Sequence, residues 1–159
     1  MSAASTPEAR LAALGLVLPT LSEPRGNYVR ARRDGQTLYL AGHGPAPDTM
    51  GRRLTGKVGA DLTVEQGYEA ARRAGLGLLA TLALELGSLS RVRAVLRIFG
   101  MVNVAPGFIE TPPVIDGCSD LLIEVFGPEV GHHTRSAVGV AALPYDLPVE
   151  IEAIVAIRD

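Results

Sequence analysis

Arg135 stands where a loop carrying Gly131, His132 and His133 enters an apolar stretch, Ser136 to Leu143. An arginine at the mouth of a strand presents a planar fork that grips a carboxylate, a geometry lysine does not match. The competing reading is an arginine snorkelling at a sheet edge, stem on apolar surface and head in water. Glu150 and Glu152 lie two apart among Val149, Ile151 and Ala153, so they share one face of a strand. From there a glutamate can position or deprotonate a water, or pair with an arginine.

The other reactive residue types point away from chemistry. His132 and His133 are adjacent and face opposite sides of an extended chain, which is poor metal geometry. His43 sits in Gly42-His43-Gly44-Pro45, a G-x-G lacking the third glycine of a dinucleotide-binding turn. Structural or solvated roles suit these histidines. Cys118 is the only cysteine; it falls on an apolar helical stripe, and a buried inert thiol is expected. One cysteine allows no intramolecular disulfide and no cysteine cluster for zinc. The G-x-S-x-G of serine hydrolases is missing.

The composition excludes more. Fifteen basic residues nearly balance 17 acidic ones, and aromatics are 4% with no tryptophan. Nucleic-acid grooves carry positive charge and stacking rings, so nucleic acid is not the expected partner. Mean hydropathy is high at +0.23, yet no apolar run approaches the ~18 residues of a membrane span. Met1 to Ala13 has charges spread through it and lacks a signal-peptide core, so a cytoplasmic protein without a membrane partner is expected. A chain of 159 residues is one domain, and its apolar surplus needs a destination.

Local signals then give the elements. Ser5 or Thr6 caps a short helix with Pro7 and Glu8 in its first turn and Gly15 at its end. Pro19 and Pro24 mark a linker or cover strand after it. Asp34-Gly35 predicts a tight type I′ hairpin turn between Asn27–Arg33 and Gln36–Ala41. Residues 42–59, rich in Gly and Pro and carrying Arg52, Arg53 and Lys57, form a loop long enough to be functional. Thr63-Val64-Glu65-Gln66 is a capping box opening a long helix that Gly87 ends. Its interior Gly75 and Gly77 suggest close approach to a sheet. Arg91 to Val102 alternates as a strand, with Val92, Ala94, Leu96 and Ile98 on the core face. A helix over Val114–Phe126 stops at Gly127-Pro128. Ser136–Leu143 and Val149–Ile157 read as a second hairpin across Pro144 to Pro148, placing Glu150 beside the strand of Arg135. Together these predict an α+β fold with both helices on one face of the sheet.

The run Arg135-Ser136-Ala137-Val138-Gly139-Val140-Ala141-Ala142-Leu143-Pro144, followed by Val149-Glu150-Ile151-Glu152-Ala153-Ile154, resembles the C-terminal signature of the reactive intermediate deaminase (Rid, YjgF-like) family. Upstream, Gly26-Asn27-Tyr28-Val29 is similar to the family's Gly-x-Tyr segment. Thr37 to Pro45 is similar to its strand ending in Ser-Gly-Gln. The resemblance spans Pro24 to Ile157, so residues 24–159 are read as the Rid-like domain and 1–23 as an N-terminal extension.

The resemblance implies a chorismate-mutase-like α+β domain that forms a homotrimer with clefts between subunits. It implies hydrolysis of reactive enamines or imines to keto compounds and ammonia, with no metal or organic cofactor. By the same resemblance Arg135 binds the substrate carboxylate, Glu150 holds the attacking water, Tyr28 lines the cleft, and the Gly42 backbone faces the ligand. Positioning supplies most of the acceleration such labile substrates need. The chain departs from the pattern at three places. Ala41 stands where many members have Ser, Ala137 where Cys is frequent, and Asp116 where a cleft Asn is expected. Asp116 there would repel an acidic substrate and favour a cationic or neutral one. Two other functions compete: a non-catalytic trimer binding a small molecule or a protein in the same cleft, and the endoribonuclease or translation-inhibitor activity attached to some family names.

Overall fold

The computed structural model describes residues 6–159. Thr6 caps helix α1 (Pro7–Ala13), its Oγ1 accepting from the Ala9 N–H at 3.1 Å; Ser5, the other expected cap, lies outside the described residues. Glu8 reaches across to a 3-10 turn at Leu89–Arg91, where Oε1 accepts from Ser88 Oγ at 2.8 Å and the Leu89 N–H at 2.7 Å. With Leu11 buried as well, this contact ties α1 to the body of the domain.

The first hairpin joins β1 (Ala31–Asp34) to β2 (Thr37–His43). Asp34 pairs with Thr37, so the turn centres on Gly35-Gln36, one residue later than the sequence predicts. Gly35 carries the positive φ, +56°, while Asp34 remains in the strand. A glycine at the first central position is the type II′ preference, which displaces the expected type I′.

Helix α2 (Val64–Leu86) opens with the reciprocal Thr63–Gln66 capping box and closes at Gly87, which is left-handed at φ +75°. Helix α3 (Thr111–Phe126) begins three residues earlier than predicted, because Pro112 and Pro113 occupy its first turn, where a missing N–H costs nothing. One further turn, α4 (Pro128–Gly131), follows. Helices α2 and α3 lie side by side. A Cβ at Gly117 would meet the Tyr68 carbonyl oxygen at 2.0 Å, and one at Gly75 the Leu121 side chain at 2.9 Å. The glycines of α2 therefore serve two neighbours: Gly75 faces helix α3 and not the expected sheet, and Gly77 faces His43 at the end of β2. Tyr68 donates to Asp120 at 2.8 Å, and Arg72 pairs with Glu124 at 2.6 Å, along the rim of this contact.

The sheet completes the α+β fold. With β3 (Val92–Asn103), β4 (Thr134–Val140) and β5 (Val149–Ile157), its order is β1-β2-β5-β3-β4. The predicted C-terminal hairpin is not formed: β4 pairs in parallel with β3, and β5 lies between β2 and β3, antiparallel to both. The cause is topological. A strand, helix and strand in one sheet make a crossover with parallel strands, so α3 delivers β4 to the outer edge of β3. The chain then turns back through Pro144–Asp146, where Tyr145 and Asp146 both take φ +56°, and fills the centre.

Strand β3 also departs from simple alternation. Its register against β5 shifts at Val92/Ala94 and Val95/Arg97. Val95 is consequently in the core and Leu96 is 42% exposed, the reverse of the predicted faces. Helices α2 and α3 cover the face bearing Leu38, Leu40, Ile98, Ile151 and Val155. No helix among the described residues is long and apolar enough to cross a membrane.

Gly117→Ala tests the helix contact. Overpacking this close to backbone costs about 1–3 kcal/mol or more, so the urea midpoint falls; an unchanged midpoint contradicts the packing.

Candidate active site in two halves

Arg135 projects from β4 toward α3, on the side of the sheet that faces the helices. Its register partner Ile98 is fully buried on that side. Nη1 donates to Ser119 Oγ at 3.0 Å and lies 2.7 Å from Asp116 Oδ1, while Nη2 makes only a long 3.4 Å contact with the Pro112 carbonyl. Asp116 and Ser119 are three apart, so one face of α3 presents both. His133 extends the cluster: its Nδ1 lies 2.6 Å from the Gly131 carbonyl and its Nε2 3.0 Å from Ser119 Oγ. Burial holds the His133 imidazole below its usual range, and Arg135 adds to the effect. A neutral ring donating from Nδ1 accepts the Ser119 hydroxyl proton at Nε2, leaving the serine lone pairs for Arg135. Ala137, one pleat beyond Arg135, packs against the core, and its carbonyl accepts from Thr111 Oγ1 at 3.0 Å. Cys118 lies beneath, fully buried, its thiol pushed up to about 12 by that burial; a thiol so held is no nucleophile.

Glu150 belongs to a different surface. Its neighbours Val149 and Ile151 are fully buried against the helices, so Glu150 points to the opposite face of the sheet. A Cβ on Gly42 would fall 2.1 Å from Glu150 Oε1, so the carboxylate lies directly over the glycine. The register shift between Leu40 and His43 sets Gly42 there. Burial pushes the Glu150 carboxyl up, and the Glu152 charge on the same face adds to it. Gly42 and Tyr28 line a groove of about 240 Å³, together with Arg25, Arg30, Arg53 and Tyr145. His43 is structural there: Nδ1 lies 2.6 Å from the Ala41 carbonyl and Nε2 2.7 Å from buried Thr81 Oγ1, with the ring held below its usual range by burial.

One protomer thus brings Arg135, Asp116 and Ala137 together, sets Glu150 over Gly42, and places Gly42 and Tyr28 in one groove that Glu150 does not line, but does not join Arg135 to Glu150. Arg135 and Glu150 occupy opposite faces of the sheet, with β3 between their strands.

The family profile described as "YjgF/chorismate_mutase-like, putative endoribonuclease" matches residues 8–150. The chain belongs to the YjgF/chorismate-mutase-like family. Protein TCP17 of Trypanosoma cruzi is 42% identical over 151 residues, covering 95% of this chain and 94% of that one. A protein of unknown function from Agrobacterium tumefaciens is 39% identical, with a TM-score of 0.86 over 96% of this chain and 94% of its own. A Shewanella oneidensis protein bearing the endoribonuclease label is 38% identical, with a TM-score of 0.90 over 96% and 99%.

Within this YjgF-like chain two features beside the candidate site residues escape sequence reading. Ser119 bridges Arg135 and His133, and the available signal was its i, i+3 spacing from Asp116. Tyr145 is held at φ +56°, stacked under the Arg25 guanidinium at 5.5 Å from the ring centre, and nothing in Pro-Tyr-Asp marks it as left-handed.

Glu150→Gln gives a pH test. A carboxyl raised on folding binds its proton more tightly when folded, so its contribution is greatest at low pH and is lost as pH rises through the folded value. The variant should melt higher than the parent at pH 7 and alike at pH 4; equal melting at pH 7 refutes the strained carboxylate.

Proposed function

We propose that the chain hydrolyses small reactive enamines and imines to keto compounds and ammonia. The observation that carries this reading is a guanidinium fixed by Ser119 and Asp116 with its Nη2 weakly used. A substrate carboxylate is the natural occupant of such a fork. Tyr28, Gly42 and Glu150 complete the site from a second protomer, because the two groups cannot meet within one chain. The outer face of the sheet supports an association of this kind, expected as a homotrimer. It exposes Tyr39, Leu96 and Val138 at 46%, 42% and 37% and half-buries Phe99, Met101 and Ile154, apolar residues interspersed with Arg97, Glu150 and Glu152 on a face of the sort that marks an interface.

The chemistry needs no group beyond these side chains. With the carboxylate on Arg135, water held by Glu150 adds through oxygen to the imine carbon, and Glu150 takes the water's proton. The C=N π pair moves to nitrogen, which takes the proton back from Glu150, giving a carbinolamine and restoring the carboxylate. The hydroxyl proton then passes by way of Glu150 to the amine nitrogen, the C–N bond breaks, and ammonia leaves with that bond's pair as the carbonyl forms. The raised Glu150 carboxyl suits both transfers. The endoribonuclease label carried by relatives finds less support. Arg52 is taken by Asp48 at 2.8 Å and Lys57 by Asn103 at 2.7 Å, and the net charge is −2.

An amino-acid oxidase generating imine in the presence of semicarbazide tests the proposal. The protein should reduce semicarbazone formation, Arg135→Ala should abolish the effect with assembly intact, and Glu150→Gln should lower it about 10²-fold or more. No effect on imines from several amino acids would favour the non-catalytic binding module. RNA cleavage that survives purification and is lost in Arg52→Ala/Arg53→Ala would favour the nuclease.

A further inference from the structure

Asp116 gives the Arg135 half-site a second sign of charge. Its side chain is 48% exposed, against 24% for Arg135, so the carboxylate forms the outer part of the pair and keeps an oxygen toward solvent. The pair is not a closed structural bridge. Arg135 is held by Ser119 as well as by Asp116, with a long contact to the Pro112 carbonyl, and a half-exposed ion pair adds little stability. What stands at this surface is a cation and an anion 2.7 Å apart, each with unsatisfied capacity.

Such a doublet selects among ligands. A simple carboxylate reaching Arg135 meets the Asp116 charge and must displace it. An amine reaching Asp116 meets Arg135. A ligand carrying both signs on adjacent atoms satisfies both, placing its carboxylate on the free edge of the guanidinium and its N–H donors on Asp116. We infer that Asp116 is the specificity-determining residue of this half-site, and that it selects zwitterionic ligands, the small α-amino and iminium acids, over simple carboxylates. This rests on the reading of Arg135 as the carboxylate site, and it narrows the sequence expectation of a cationic or neutral substrate to a net-neutral zwitterion. The same contact explains why an acidic residue is tolerated in a site for acids. The iminium form of an imino acid is cationic at nitrogen, and a carboxylate at that position stabilises the form most open to attack by water.

Matched pairs differing only in amino against hydroxyl provide the test: alanine with lactate, and serine with glycerate, titrated calorimetrically into the full-length protein. The parent should bind each amino acid about ten- to a hundred-fold tighter than its hydroxy partner, as a charged hydrogen bond predicts. Asp116→Asn should bring the ratio near one, mainly by weakening the amino acid, and Asp116→Glu should keep the preference. Equal or tighter binding of the hydroxy acids by the parent overturns the assignment. A ratio unchanged in Asp116→Asn, or no binding by any of the four at tens of millimolar, overturns it as well. Arg135→Met separates the two levels. If it removes all binding while Asp116→Asn leaves the ratio intact, the carboxylate site stands and only the role of Asp116 falls. If it leaves all affinities unchanged, the reading of Arg135 itself falls.

Discussion

The approach of α3 to α2 at Gly117 determines where every group around Arg135 stands. The missing side chain lets the α3 backbone rest against the Tyr68 carbonyl and the Arg72 amide, which fixes both the rotation and the height of that turn. With Gly117 turned to α2 and Cys118 buried, the preceding Asp116 and the following Ser119 are carried to the side facing β4. A rotation of α3 by one residue, about 100°, would move both away from the guanidinium. The charged half-site is therefore a consequence of helix packing. The polar rim of Tyr68–Asp120 and Arg72–Glu124 holds the same register from outside.

The second constraint is the central position of β5. With β3, α3 and β4 forming a parallel crossover, Arg135 stands on an edge strand, and the last strand enters between β2 and β3. That position brings Glu150 beside β2, where a register shift turns Gly42 beneath its carboxylate. One topological event separates the glutamate from the arginine and joins it to the glycine. It also explains why the two share no face in a protomer although they lie only 15 positions apart in sequence.

Much of this was legible in the residues where local chemistry decides. The Thr63–Gln66 capping box, the Gly87 terminator and the stop at Gly127-Pro128 each act through the backbone groups nearest to them, and each is found as read. The errors arise where distant elements decide. Two strands joined by a proline-rich turn read as a hairpin, since sequence does not show that β5's place lies between β2 and β3. The alternation of β3 puts Leu96 inside only if the register is continuous, and the shift at Val95/Arg97 reverses it. For Asp116 the sequence shows the sign of the charge but not the Arg135 guanidinium 2.7 Å from it. A carboxylate beside an arginine forms a dipole, and a dipole prefers a different ligand from either charge. Ser119 borders an apolar stripe, and only the arrival of Arg135 from a strand distant in sequence gives its hydroxyl a partner.

The outer face of the sheet links the apolar surplus of the composition to the chemistry. Glu150 and Glu152 stand on it among Phe99, Met101 and Ile154, with no helix to cover them. Two carboxylates on an apolar surface are an unfavourable pairing, and the cost already shows as a Glu150 carboxyl raised by burial and by its neighbour. Closure of this face by another copy of the chain would remove more water from the same group and push its proton affinity further up. An acid–base group that must take a proton from water and return it to a product gains from that shift, because its two states come closer in energy near neutral pH. On the proposed reading, the surface that is poorest for an isolated protomer is the one that would best prepare Glu150 for proton transfer, and association and catalysis would draw on the same residues.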